Sequence, residues 1–202
     1  MEECTFIIKK GYFDRPKELT ITEDILKFGN SVFYVADIIA YKFGIKWIRF
    51  ELTYGREFQI YIKNTLGEVL KITFKTYLKR KLEVFNQQYA TILELIWNNY
   101  FSKQVESHLQ AFILGKEFTV GDVLFKQASI EMNISKIFKQ SRKEILWKNV
   151  RTEDYATYFA IYSIENPSEI NRGYSYKEDW NTAVLYSTIR TILSQKGIEK
   201  YH

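Results

Sequence analysis

The sequence predicts an α+β fold that is mainly β, with two bent antiparallel barrels that are each closed by a C-terminal helix. Short segments alternate apolar and polar residues between turn residues, as half-buried strands do. Two stretches, one in the middle and one at the end of the chain, carry apolar residues at helical spacing. Only two prolines and nine glycines occur in 202 residues, which favours regular strands joined by tight turns.

The first half contains the clearest strand pattern. Phe58, Ile60 and Ile62 alternate with polar or amphipathic side chains, and residues 64–67 have the composition of a hairpin turn. Gly44 is expected to mark a bend between two strands. The predicted strand segments are residues 4–10, 18–28 (with a turn at Glu23-Asp24), 31–42, 47–53, 58–63 and 69–75.

One long helical pattern is predicted between the halves. Apolar residues recur in steps of three and four from Leu78 to Tyr100, so one stripe of that helix faces the first barrel. A second, shorter stripe follows, and the change predicts a break near Phe101 and Ser102. The predicted divisions are a first domain at 1–101 with its closing helix at 78–100, a helical connector at 102–114, and a second domain at 115–202.

The second half repeats this order of elements. Its predicted strands are residues 117–119, 123–126, 128–138, 144–147, 155–164 and 172–176, and its closing helix is 180–196. Two short stretches also match between the halves: residues 22–26 resemble 120–124, and residues 34–38 resemble 146–150. Two matches in the same order suggest an internal duplication.

These stretches resemble the pleckstrin-homology (PH)-like fold, in which seven strands form a bent barrel that a C-terminal helix closes. The resemblance is to tandem PH-like domain proteins of a bacterial family without a characterised function. It covers most of residues 115–196 and, through the internal match, roughly 18–100. It implies a binding or scaffolding module and brings no catalytic residues. The residues that carry it are Gly121-Asp122-Val123-Leu124, Leu146-Trp147-Lys148-Asn149-Val150 and Trp180-Asn181-Thr182-Ala183-Val184-Leu185.

A basic loop in the second half is the first candidate site. PH domains that bind phosphoinositides place Lys and Arg between their first two strands; in the first half that loop is expected near Phe28–Ser31, where only Lys27 is basic. Residues 133–143 are richer in positive charge, which suits an anionic-lipid headgroup or a membrane surface. The alternative is a solvated loop. The basic residues are Lys136, Lys139, Arg142 and Lys143.

An outward sheet face of the first half is the second candidate. Mixed aromatic and basic side chains could stack on bases or meet phosphates, or they could simply form a solvated face. The positive cluster Lys79-Arg80-Lys81 at the start of the long helix is unfavourable with the helix dipole. It suits an acidic partner; the alternative is a helix that begins earlier or later than residue 78. The residues of the predicted face are Trp47, Arg49, Tyr61, Lys63, Lys71 and Lys75.

Composition argues against several other functions. The net charge of +5 is shared almost evenly between the halves, so a nucleic-acid partner is not expected. The PH-like resemblance implies a protein partner instead. Cys4 is the lone cysteine, and His108 and His202 are the only histidines, which leaves little material for a metal site, a catalytic triad or a cofactor. The chain has neither a signal-peptide pattern nor a long apolar run. A non-enzymatic cytoplasmic protein is therefore expected.

Overall fold

The computed structural model describes residues 4–11, 14–50, 53–77, 81–136 and 139–198. The chain divides into two compact units, Met1–Lys103 and Gln104–His202. Both units combine antiparallel sheets with helix, and strand is the commonest structure, so the prediction of a mainly β, α+β chain is confirmed. The strands of the described residues form four open sheets.

The strands of the first unit pair into two antiparallel sheets. Their bounds are β1 Cys4–Ile8, β2 Lys17–Ile21, β3 Ile25–Phe28, β4 Ser31–Tyr34, β5 Ile38–Phe50, β6 Thr53–Asn64 and β7 Val69–Tyr77. One sheet has the order β1-β2-β3-β4 and the other β5-β6-β7. Gly44 lies inside β5 and pairs with Gln59 in unbroken register. The bend predicted at Gly44 is therefore wrong.

The core of the first unit is built largely from aromatic rings. Phe58 on β6 and Phe74 on β7 are fully buried, and their ring centroids lie 5.0 Å apart. The helix that follows β7 adds Phe85, 5.6 Å from Phe74, and Tyr89, 5.2 Å from Phe58. Their spacing of four residues places both rings on one helical face, which explains why this helix covers the β5-β6-β7 sheet.

The long helix does not end where the sequence predicted. Helix α1 is Leu82–Ile96, a π-helical turn covers Trp97–Phe101, and α2 is Ser102–Ile113. The helix changes type near the break predicted at Phe101, but hydrogen bonding continues there, because the Ser102 N–H still bonds to the Trp97 carbonyl. The π turn admits one extra residue, and both Tyr100 and Phe101 are buried. The predicted start of the helix at 78–80 lies outside the described residues.

The π turn places two aromatic side chains against the strands of the first unit. Phe101 stacks on Tyr41 of β5 with 3.9 Å between ring centroids. The Tyr100 hydroxyl lies 2.9 Å from the Thr22 carbonyl oxygen and 3.0 Å from that of Ile25. This part of the helix is therefore attached to both sheets of the unit.

The second unit has the same composition of elements. Its strands are β8 Phe118–Val120, β9 Val123–Phe125, β10 Ser129–Lys136, β11 Lys139–Leu146, β12 Val150–Asp154, β13 Tyr158–Ser163 and β14 Asn171–Ser175, and its closing helix is α3 Thr182–Gln195. The sheet orders are β11-β10-β9-β8 and β12-β13-β14. Strand β12 was not predicted, and β11 is longer than predicted, because charged residues on the exposed face of a strand resemble a loop in sequence.

The order of elements recurs in detail. In each unit a 3-10 turn follows the fourth strand: Val35–Asp37 in the first and Trp147–Asn149 in the second. The last carbonyl of each turn accepts a hydrogen bond from the residue after the sixth strand. The Thr65 N–H lies 2.9 Å from the Asp37 oxygen, and the Ile164 N–H lies 2.9 Å from the Asn149 oxygen. The predicted match of residues 34–38 with 146–150 corresponds to these turns.

The other predicted match aligns the wrong turns. Residues 22–24 join β2 to β3, whereas residues 121–122 join β8 to β9, the first two strands of their unit. The counterpart of the first turn starts at Lys126. The Thr22 N–H bonds to the Ile25 carbonyl at 3.0 Å, and the Lys126 N–H bonds to the Ser129 carbonyl at 2.9 Å.

Candidate functional site

A basic cleft in the first unit is lined by several charged side chains. Its volume is about 360 Å³, within the range of small-ligand sites. We call it the cationic cleft. Its lining residues are Ile8, Lys10, Asp14, Arg15, Lys17, Phe28, Lys71 and Thr73.

Strand geometry brings these residues together. The loop after β1 carries Lys10 and Arg15, and Lys17 opens β2. On β7, Ile72 and Phe74 are buried in the core, so the alternation of the strand turns Lys71 to the other side, towards the cleft. Residues far apart in sequence therefore line one opening.

Two local contacts shape the cleft. The Lys17 ammonium lies 5.6 Å from the centre of the Phe28 ring, a cation–π distance. The Lys17 stem also lies against Gly29, whose φ of 59° belongs to the left-handed region that favours glycine. The tight turn after β3 therefore leaves room for the lysine stem and keeps its charge at the cleft.

The cleft has a strong excess of positive charge. Lys10, Arg15, Lys17 and Lys71 are all exposed, and Asp14 is the one carboxylate among the lining residues. Within the described parts of the chain, none of the four cations forms an ion pair. Several cations around one opening suit a ligand with more than one negative charge, and Arg adds the planar donor set that fits phosphate.

The sequence prediction missed this cleft because it misplaced a loop. The connection between the first two strands is residues 9–16, not the stretch near Phe28–Ser31, and it holds Lys9, Lys10 and Arg15. A signal was present, since these cations flank Gly11 and Pro16 between two apolar segments. The expectation that Lys27 is the basic residue of this loop is wrong.

The predicted aromatic and basic face is divided between two sides of the β5-β6-β7 sheet. Trp47 is directly opposite Arg56. Arg56 is two residues before the buried Phe58 on the same strand, so Trp47 and Arg56 lie on the side of the sheet that faces the core. Tyr61 is directly opposite Lys71, and both lie on the other side of the sheet, together with Lys63 and Lys75. The prediction of one shared face is wrong, because apolar alternation does not reveal that Trp47 lies beyond the end of the core.

The residues at this end of the sheet form a second, smaller opening. Trp47 is 68% exposed and Tyr54 is 58% exposed. The opening measures about 110 Å³, and we call it the aromatic slot; it is lined by Trp47, Tyr54, Gly55, Arg56, Thr76 and Leu82. On the other side of the sheet Lys75 lies 3.5 Å from a Glu57 carboxylate oxygen, so its charge is partly neutralised.

The basic loop predicted in the second unit is a pair of strands. Lys136 pairs with Lys139, and Asn133 with Arg142, so only residues 137–138 separate β10 from β11. Lys143 is exposed. The side chains of Lys136 and Lys139 lie outside the described residues.

Arg142 is part of an ion-pair cluster rather than a free cation. Its Nε lies 3.0 Å from a Glu131 oxygen. Lys126 also contacts Glu131 and lies 3.6 Å from Glu144. The hydrogen bond to Glu131 raises the pKa of Lys126, and the Ser129 hydroxyl and Lys126 lower the pKa of Glu144. These mutual contacts reduce the charge that Arg142 can offer a ligand.

The remaining sequence candidates do not converge on one site. His108 on α2 stacks on Phe118 at 5.0 Å between ring centroids, and burial lowers its pKa. Cys4 is a half-buried strand residue, and His202 lies outside the described residues. Among the described side chains, no three His, Cys, Asp or Glu residues are placed to hold a metal ion. No helix within the described ranges combines the length and the apolar character that crossing a membrane requires.

Comparisons with protein-family models, with curated proteins and with solved structures find no match to this chain.

Proposed function

We propose that the protein is a non-enzymatic binding protein built from two PH-like units, and that its first unit binds phosphate-bearing anions in the cationic cleft. The order of four strands, a 3-10 turn, three strands and a helix in both units supports the PH-like assignment. In this proposal the two sheets and the helix of each unit make up one bent barrel, and the recurring hydrogen bonds reflect an internal duplication.

The convergence of four cations on one cleft is the observation that carries the binding proposal. Exposed single ion pairs contribute little, commonly below about 1 kcal/mol each. A ligand with several phosphates gains from all four charges at once and from bidentate contact with Arg15. Thr73 supplies a hydroxyl in the same lining, and Phe28 supplies an apolar wall. The proposed ligand class is therefore a small phosphorylated compound or the phosphorylated headgroup of a lipid.

Isothermal titration calorimetry with inositol 1,4,5-trisphosphate and with pyrophosphate tests the proposal. We expect binding that weakens with salt, since exposed charges are screened. Arg15→Gln combined with Lys17→Gln should weaken it at least about tenfold. The matched control is Lys27→Gln, an exposed lysine of the same unit that lies outside the cleft lining. An equal loss in the control, or no binding of either probe, contradicts the proposal.

Vesicle co-sedimentation separates the two sources of phosphate. If vesicles with 5% phosphatidylinositol 4,5-bisphosphate bind and the Arg15/Lys17 variant does not, the ligand is a headgroup; if only the soluble probes bind, it is a free compound. The hairpin of the second unit remains the alternative membrane contact. Vesicle binding that survives the cleft variant but is lost on changing Lys136, Lys139 and Lys143 to Gln favours that alternative.

A further inference from the structure

The far end of the β5–β6 ribbon presents two arginine–aromatic pairs side by side. Trp47 is directly opposite Arg56, and Arg49 is directly opposite Tyr54. The Arg56 guanidinium carbon lies 4.5 Å from the centre of the Trp47 ring, and that of Arg49 lies 5.8 Å from the Tyr54 ring. The two pairs have the same alternation, so they share one side of the ribbon.

These contacts hold the side chains in place before any partner binds. An arginine stacked on a ring keeps the N–H groups at its edge available for a carboxylate. Neither Arg49 nor Arg56 has an ion-pair partner among the residues that the structure describes. Trp, Tyr and Arg are also the residues that dominate binding energy at protein interfaces. The exposed rings offer a large apolar area with little conformational entropy left to lose.

The aromatic slot sits beside these pairs and can hold one apolar side chain. Its volume of about 110 Å³ is comparable with that of a leucine or isoleucine side chain, and its lining is mainly apolar. Leu82, the first residue of α1, and Thr76 of β7 contribute to it. Gly55 lines the slot with backbone alone, and a larger residue would not fit at this position, because a Cβ there would lie 2.7 Å from the Thr76 carbonyl oxygen.

Positive charge surrounds the slot. Arg49 and Arg56 lie on the slot's side of the ribbon, and exposed Lys81 directly precedes Leu82. Glu57, the one described carboxylate of this part of the ribbon, lies on the opposite side, where it contacts Lys75. Exposed Glu83, directly after Leu82, offsets part of this charge. A partner that covers the slot still meets a net positive charge from Arg49, Arg56 and Lys81, which favours acidic residues on its side.

We propose that the aromatic slot and its two arginine–aromatic pairs dock an acidic peptide segment of a partner protein. One bulky aliphatic side chain of the segment fills the slot, and flanking carboxylates bind the edges of Arg49 and Arg56. This site is separate from the cationic cleft, and it gives the partner interaction a defined chemistry. A single-stranded nucleic acid fits less well, because Arg56 covers one face of Trp47 and the slot is shaped for a side chain rather than a base.

Panning a random twelve-residue phage-display library on the whole 202-residue chain tests this inference. We expect the enriched peptides to combine several Asp or Glu residues with a Leu, Ile or Met. Synthetic copies of them should shift the tryptophan emission on binding. Trp47→Ala and Arg56→Gln should each weaken their affinity at least about tenfold, and Trp47→Tyr should keep most of it. Lys63→Gln, on the opposite side of the sheet, should change it less than twofold.

Three results overturn the inference. The first is that no peptide is enriched, or that the enriched peptides carry no excess of acidic residues. The second is that Trp47→Ala binds them as well as the wild-type protein does, with an unchanged circular dichroism spectrum. The third is that the oligonucleotide dT12 binds more tightly than the peptides and loses affinity in Trp47→Ala, which assigns the surface to nucleic acid. The Arg15/Lys17 variant should bind the peptides normally, so failure of the cleft proposal is distinguishable from failure here.

Discussion

Replacing Tyr100 by phenylalanine tests whether the π turn is attached to the first unit as described. Tyr100 is 3% exposed, and its hydroxyl lies within hydrogen-bond distance of the Thr22 and Ile25 carbonyl oxygens. Without the Tyr100 hydroxyl, the Ile25 carbonyl oxygen still accepts a hydrogen bond from the Thr22 N–H at 3.0 Å. The hydrogen bond that is lost is therefore the one to the Thr22 carbonyl oxygen. A net hydrogen bond contributes about 0.5–1.5 kcal/mol. Because the site is buried, we expect a loss in the upper half of that range.

Native-state hydrogen exchange is the suitable assay, since two compact units can unfold in separate steps. Tyr100→Phe should lower the exchange free energy of buried amides such as those of Ile62 and Ile72 by about 1–1.5 kcal/mol. The amide of Ile161 in the second unit is an internal reference that should not change. Tyr34→Phe is the matched control, because Tyr34 is exposed. The reasoning is refuted if Tyr100→Phe changes exchange no more than Tyr34→Phe does.

Two further predictions concern stability. Lys81 and Asn181 directly precede α1 and α3, and both have left-handed backbone conformations, with φ of 55° and 59°. Asn tolerates this conformation better than Lys, so in urea unfolding Lys81→Asn should stabilise the protein by about 0.5–1 kcal/mol and Asn181→Lys should destabilise it by at least as much. Effects of the same sign in both variants would contradict this. Burial lowers the pKa of His108 below its value in the unfolded chain. The unfolded state therefore takes up more protons as pH falls, so stability should decrease from pH 7 to pH 5; His108→Phe, which retains a ring against Phe118, should reduce that decrease, and an unchanged pH profile would contradict the assignment.

The sequence predicts the type of each long element better than its ends. Alternation identified β6 and β7 because Phe58, Ile60 and Ile62 face a core while their neighbours do not. It could not show that β5 runs through Gly44, since a glycine inside a paired strand has the same sequence signature as a glycine in a bend. The helical pattern likewise showed that the apolar stripe shifts around the helix near Phe101. It could not distinguish a break from a π turn, since both shift the stripe by about one residue.

The candidate sites depend on register, which the sequence predicts poorly. Trp47 and Tyr61 are both aromatic residues on amphipathic strands, and only the pairing of β5 with β6 places them on opposite sides of the sheet. The cationic cleft needs Lys71 of β7 beside Lys17 of β2, 54 positions apart in the sequence. No local pattern records such a contact. The basic cluster near Arg142 was visible in sequence, but its neutralisation by Glu131 follows from the hairpin pairing alone.

Amide chemical shifts recorded during a pyrophosphate titration of the 202-residue chain test the central proposal most directly. If the cationic cleft binds phosphate-bearing anions, the largest changes will occur at Lys10, Arg15, Lys17 and Lys71, with saturation at one equivalent per chain. The amides of Arg142 and Lys143 will change little. Largest changes at Arg142 and Lys143, or small unsaturable changes spread over exposed lysines of both units, would contradict a specific site in the cleft.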